Sequence, residues 1–181
     1  ALIPSVVSYD PKTKAYDFGL TAKNTTSKRT RVFKAFKMLL SEKDSSILVD
    51  RRYDAIPDEE LPESEKMKAN TPENITRIFL NNIIHEVLGK TGADYITNLV
   101  VGFPEVWNNI ETASARFVLR EICTDILKQI NQDIKEKTGC TVESHVQVRT
   151  EPECASAFIA QQLEKHSGSN YNGNILIIDY G

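Results

Sequence analysis

Residues 174–179 are an apolar run that ends in Asp179-Tyr180-Gly181, so what reads as a buried strand delivers an acidic residue and a glycine. In α/β proteins a phosphate-binding turn begins this way, because backbone N–H groups can approach phosphate only where side chains are absent. Glu151 stands at a second strand-to-helix junction, after Val142, Val146 and Val148 and at the head of a helical pattern. Taken alone, a glutamate there simply favours the positive end of the helix dipole. Lys37 sits in a basic stretch with helically spaced apolar residues and, alone, is a surface lysine on an amphipathic helix. Cys123, Cys140 and Cys154 are odd in number and widely spaced, with no Cys-x-x-Cys. Reduced, buried thiols are the expectation. His85, His145 and His166 are isolated too, so no metal site built wholly from protein ligands is expected.

The chain that must position these groups has 181 residues, which fits one domain with a small appendage. Hydrophobic residues at 40% and charged residues at 26% are enough for a real core and exclude wholesale disorder. The formal net charge is −3, and no basic run carries interleaved aromatics, so nucleic acid is not an expected partner. No stretch approaches the roughly 18 apolar residues that span a bilayer, and the opening residues lack a signal-peptide pattern. A soluble, cytoplasmic protein without membrane association is expected.

Residues 4–9 and 14–18 are β-prone and flank Asp10-Pro11-Lys12-Thr13, predicting a hairpin that closes at Gly19. Residues 28–40 place Val32, Phe33, Phe36, Met38, Leu39 and Leu40 at mostly helical spacing, predicting a helix. Residues 41–70 are dominated by charge, with Pro57 and Pro62, and predict a solvated excursion containing one further strand at 46–53. Thr71 is a good N-cap and Pro72 a good first helical residue; Ile75, Ile78, Phe79, Ile83 and Val87 then mark an apolar face up to Gly89 and Gly92. Residues 95–103 predict a strand whose Leu-Val-Val-Gly-Phe end suggests burial on both faces. Asn108 or Asn109 can cap a long helix carrying Ala113, Phe117, Ile122, Ile126 and Ile130, stopped by Gly139. A strand over 142–148, a helix over 151–165 and a buried strand over 174–179 complete a β-α-β-α-β order, the pattern of an α/β sheet with helices on its faces.

Five blocks, IPSVVSYD, FKAFKMLL, NLVVGFPEVWN, RTEPECASAF and NILIIDYG, follow one another across almost the whole chain. In order and spacing they resemble the nucleotide-binding domain of the seventy-kilodalton heat-shock chaperones, members of the actin-like ATPase superfamily. The forms PEVW and TEPECASAF look more like the divergent eukaryotic branch than the housekeeping chaperones. The resemblance implies an incomplete actin-like, ribonuclease-H-like lobe: a mixed sheet flanked by helices, with a peripheral subdomain. Residues 1–94 would be the rest of the opening sheet and the peripheral subdomain, 95–172 the core β-α-β-α half, and 173–181 the truncated first strand of the second lobe. It also implies a first phosphate loop upstream of Ala1, and hence a fragment expected to be inactive by itself.

The site residues implied by the resemblance are these. Lys37 falls where the family has a lysine that reaches the γ-phosphate and attacking water, and an ammonium suits transferring phosphoryl charge. Glu151 matches the glutamate that holds magnesium-bound water, and Asp179 the aspartate of the second phosphate motif, also a ligand through water. Gly181 is that motif's first glycine and would face the nucleotide. Pro104 matches a proline that couples nucleotide to the substrate domain. The family follows it with an Arg; here Thr112 takes that place and Arg116 comes one turn later, a departure that bears on coupling more than on nucleotide binding. Glu153 and Cys154 replace small residues, with Cys154 expected as a core thiol. ATP or ADP with Mg²⁺ would be the cofactors, and co-chaperones and unfolded client proteins in a stress response the partners, through other domains. The alternative is a non-catalytic actin-like platform for protein interactions; a filament-forming protein or sugar kinase is a weaker third reading, against which the Glu-Pro turn counts. An exposed sheet edge further predicts that residues 174–180 pair with the truncated sheet or swap strands across a dimer.

Overall fold

Residues 3–10, 12–25, 30–41, 71–109 and 113–168 are described by the computed structural model. Strands β1 (Val6–Asp10) and β2 (Ala15–Phe18) form the expected antiparallel hairpin, with Val7 opposite Phe18 and Asp10 opposite Ala15. Asp10 holds the turn: its side chain accepts the Lys12 N–H at 2.9 Å and its carbonyl the Lys14 N–H at 2.8 Å. A short helix, α1 (Gly19–Lys23), follows.

The helix predicted over residues 28–40 does not form. Arg31–Lys34 is instead a strand, β3, antiparallel to β1 from Val6 opposite Lys34 to Tyr9 opposite Arg31, and only Met38–Ser41 winds into a 3₁₀ turn. Val32 and Phe33 are residue types that suit a pleated ladder, and Phe33 is fully buried in it. Ala35, with φ of 56°, then turns the chain through the left-handed region, which no helix continues through. The apolar spacing was compatible with both forms; pairing with β1 decides.

Helix α2 (Pro72–Thr91) starts and stops as predicted. Thr71 Oγ1 accepts the Asn74 N–H at 3.1 Å, and Gly92 ends the helix at φ of 67°. Its buried residues are Pro72, Ile75, Thr76, Phe79, Ile84 and Leu88, whereas Val87 is exposed. The stripe is rotated from expectation because α2 serves two cores: Ile75 and Phe79 pack on the first sheet, Ile84 and Leu88 against the next helix.

Strands β4 (Asn98–Phe103) and β5 (His145–Thr150) pair in parallel, from Asn98 opposite His145 to Phe103 opposite Thr150. The connecting helix α3 (Ser114–Thr138) covers one face, with Leu119, Ile122, Cys123, Ile126 and Ile130 buried against β4 and β5. It ends at Gly139, whose N–H reaches the Lys135 carbonyl at 2.8 Å. Helix α4 (Glu151–Ser167) lies on the other face and buries no residue fully. Burial of β4 on both faces is therefore not met: Val100, on the α4 side, stays 54% exposed. The expected cap at Asn108 or Asn109 is corrected as well. Asn108 closes a 3₁₀ turn (Glu105–Asn108) in which Trp107 is buried and stacks on Phe103 at 6.3 Å, and α3 begins later, at Ser114. Phe117 turns outward at 55% exposure, because the inward row of α3 runs through Ala115, Leu119 and Ile122.

The molecule is thus mixed α/β, with sheets β2-β1-β3 and β4-β5 that share no ladder among the described residues. Leu80 of α2 joins them, since it packs against all three apolar clusters. The strands expected at 46–53 and 174–179, and the pairing or swap of 174–180, fall outside the described residues. Among the described residues no helix is long and apolar enough to cross a membrane.

Candidate functional site

Strand β5 runs directly into α4 at Thr150, and a capping box fixes the junction. Thr150 Oγ1 accepts the Glu153 N–H at 3.3 Å, and Glu153 Oε2 accepts the Thr150 N–H at 2.8 Å. Glu151 is the first residue of the helix so defined. Its side chain lies back over β4 at Gly102, where an added Cβ would sit 3.4 Å from Glu151 Cγ and 3.6 Å from Cys154 Sγ. Those are ordinary van der Waals distances, so the start of α4 packs directly on the strand at this glycine.

Lys37 arrives from the other sheet. Phe36 is buried edge-on against Phe79 at 5.4 Å, so the next residue is turned outward. The Lys37 carbonyl then accepts the Leu40 N–H at 3.1 Å, tying its backbone to the 3₁₀ turn. Across a separation of 114 residues, Lys37 Nζ donates to Glu151 Oε1 at 2.5 Å. Their side chains are 29% and 49% exposed, so the pair is open to water and to a ligand. An ion pair this exposed contributes about 0–1 kcal/mol and is cheap to exchange for other partners.

Pro104 and Glu151 are each the first residue beyond the paired strand ends Phe103 and Thr150, which sets them side by side at the carboxyl end of the sheet. Pro104 is extended (φ −60°, ψ 137°) and opens the 3₁₀ turn of Trp107. Arg116 donates to Asn108 Oδ1 at 3.4 Å and lies over the Phe117 ring at 5.2 Å. Asp179, Gly181 and Thr112 fall outside the described residues.

The thiols divide by environment. Burial pushes Cys123 up to about 11, with Arg77 opposing weakly, and raises Cys154, assisted by the Glu153 charge. Cys154 is half-buried behind Gly102 as a packing thiol. Cys140 is exposed, against the expectation of burial, because it follows the Gly139 helix stop in a loop whose N–H is held by Thr138 Oγ1 at 3.1 Å.

Chemically, the pair offers an ammonium that can stabilise phosphoryl charge and a carboxylate that can hold a hydrated cation. Among the described residues no group of three or more His, Cys, Asp or Glu is placed to enclose a metal. Magnesium does not need such a cage: it keeps several waters and binds through one or two carboxylates plus phosphate oxygens, a donor set that Glu151 fits. No protein-family model, no curated protein and no solved structure matches this chain.

Proposed function

We propose that these residues form part of the ATP-binding domain of a heat-shock-type chaperone ATPase with an actin-like fold. The Lys37–Glu151 contact carries this reading. The two residues that the resemblance assigns to the γ-phosphate and to magnesium-bound water come from separate sheets, yet they meet at 2.5 Å. They do so at the carboxyl ends of β4 and β5, where parallel sheets of α/β proteins receive ligands. On this reading an entering phosphate replaces the carboxylate on Lys37 Nζ. Glu151 is then free to orient metal-bound water. Magnesium, when bound, supplies charge neutralisation on the transferring phosphoryl group. Asp179 and Gly181 complete the phosphate side in this proposal, Pro104 transmits nucleotide state, and co-chaperones and client proteins act through other domains.

In the full-length protein, Lys37→Ala and Glu151→Ala should each lower ATP turnover by roughly 10²-fold, as loss of one electrostatic stabiliser does elsewhere. Lys90→Gln, on the exposed end of α2, should leave it unchanged. Equal rates in all four proteins would favour the second reading, a non-catalytic interaction platform. That alternative draws on α4, which buries nothing fully and exposes Phe158, Ile159 and Leu163.

A further inference from the structure

On the face of β4–β5 opposite Glu151 lies a cleft of about 370 Å³. Phe103 and Val148 line it, and so do Phe117, Arg116 and Arg120; Arg149, opposite Gly102 in the register, borders it but carries its side chain on the α4 side. Phe103 and Thr150 are the last residues of their strands, so this cleft also opens at the carboxyl end of a parallel pair. Gly102 faces α4 and Glu151, whereas Phe103 packs with Trp107, Ala115 and Leu119 under α3. Side chains alternate along a strand, so the cleft and the Lys37–Glu151 pair are on opposite sides of the sheet.

The charge of the cleft is unbalanced. Arg116 and Arg120 are four residues apart on α3, a spacing at which like charges repel. Glu153 is the one carboxylate lining the cleft among the described residues, and the capping box engages it. Arg120 has no ion-pair partner among the described residues. Arg116 donates to Asn108 and lies over the Phe117 ring, which restrains its guanidinium before any ligand arrives. In a molecule of net charge −3, the cleft thus gathers more cationic than anionic groups beside an apolar floor.

We propose that this cleft is a binding site for a small phosphomonoester carried on an apolar or aromatic body. A guanidinium fork matches phosphate oxygens two at a time, and two such groups suit a dianion better than a single carboxylate. Phe103, Val148 and Phe117 give the body of the ligand an apolar surface. The volume lies at the lower end of the roughly 300–1,000 Å³ of ligand pockets, which fits a one-ring ligand and leaves no room for a nucleoside triphosphate. This site is independent of the ATP reading.

Calorimetric titration of the 181-residue chain with phenyl phosphate, inorganic phosphate, phenylacetate and benzyl alcohol, each at millimolar concentration, tests it. Phenyl phosphate should bind tightest, inorganic phosphate more weakly and benzyl alcohol undetectably, with affinity falling as salt rises. Arg116→Gln and Arg120→Gln should each weaken phenyl phosphate by about tenfold. Lys128→Gln, on α3 outside the cleft, should leave affinity within about twofold. Arg120 is exposed and Arg116 half-buried at the surface of α3, so circular dichroism should report an intact fold in the variants. Absence of phenyl phosphate binding, binding indifferent to both arginine substitutions, or phenylacetate binding as tightly as phenyl phosphate would overturn the proposal.

Discussion

Glu153 organises the strand-to-helix junction from one position. Its carboxylate accepts from the Thr150 N–H at 2.8 Å and from Thr150 Oγ1 at 3.1 Å, and those bonds hold it below its ordinary value of 4.5, with a smaller contribution from Arg149. A carboxyl lowered in the folded state stabilises the fold fully above its unfolded value and loses that contribution as pH falls through the folded value. Glu153→Gln should therefore be less stable than wild type near neutrality, and the gap should close as pH drops below about 4.5. Urea midpoints measured across that range check this; a gap that persists unchanged at low pH would show that the charge plays no part. Thr150-x-x-Glu153 has the spacing of a capping box, a local signal that the expected helix start at Glu151 did not draw on. The Lys37–Glu151 contact was not legible in that way. Nothing local to residue 37 or 151 specifies a partner 114 positions away, and only the resemblance singled the two out.

Elements with strong end signals came out of the sequence nearly intact. Thr71-Pro72 and Gly92 bound α2, and Gly139 stops α3, because each solves a local hydrogen-bond problem at a helix terminus. β3 failed for the opposite reason: its conformation is set by β1, some 25 residues upstream, rather than by its own apolar spacing. Gly102 lies between these cases, with a local identity and a non-local consequence. A methyl there meets Glu151 and Cys154 at ordinary contact distance, so the two further carbons of a valine would press toward α4. Gly102→Val should destabilise the protein by about 1–3 kcal/mol through overpacking. It should also lift Glu151 away from Lys37, which the loss of ¹⁵Nζ–carboxylate coupling in NMR spectra would register. If stability and the ion pair both survive, α4 is not held where Gly102 allows it to approach.

Among the described residues the two sheets share no strand, and side chains join them. Leu80 touches the cluster around Phe33 and Phe79, the cluster around Ile122 and Ile126, and the cluster around Trp107 and Leu119. Optical probes already sit on either side of that junction: the single Trp107 under α3, and the Tyr9–Tyr16 pair, 4.9 Å apart, on the first sheet. If the sheets unfold as one unit, tryptophan fluorescence and tyrosine near-ultraviolet signals must change at the same denaturant concentration. Leu80→Ala removes a half-buried side chain and should cost about 2 kcal/mol, near the low end for such truncations. It should also pull the two transitions apart, with the first sheet melting earlier, because the remaining contacts between the halves no longer outweigh their separate stabilities. The candidate site makes that separation consequential: Lys37 belongs to one half and Glu151 to the other, so a loosened junction should disrupt their contact before the core around Trp107 is lost. Coincident transitions in the variant would instead place the coupling in the direct packing of the 3₁₀ turn beside Lys37 against α3, where Leu40 meets the Trp107 cluster.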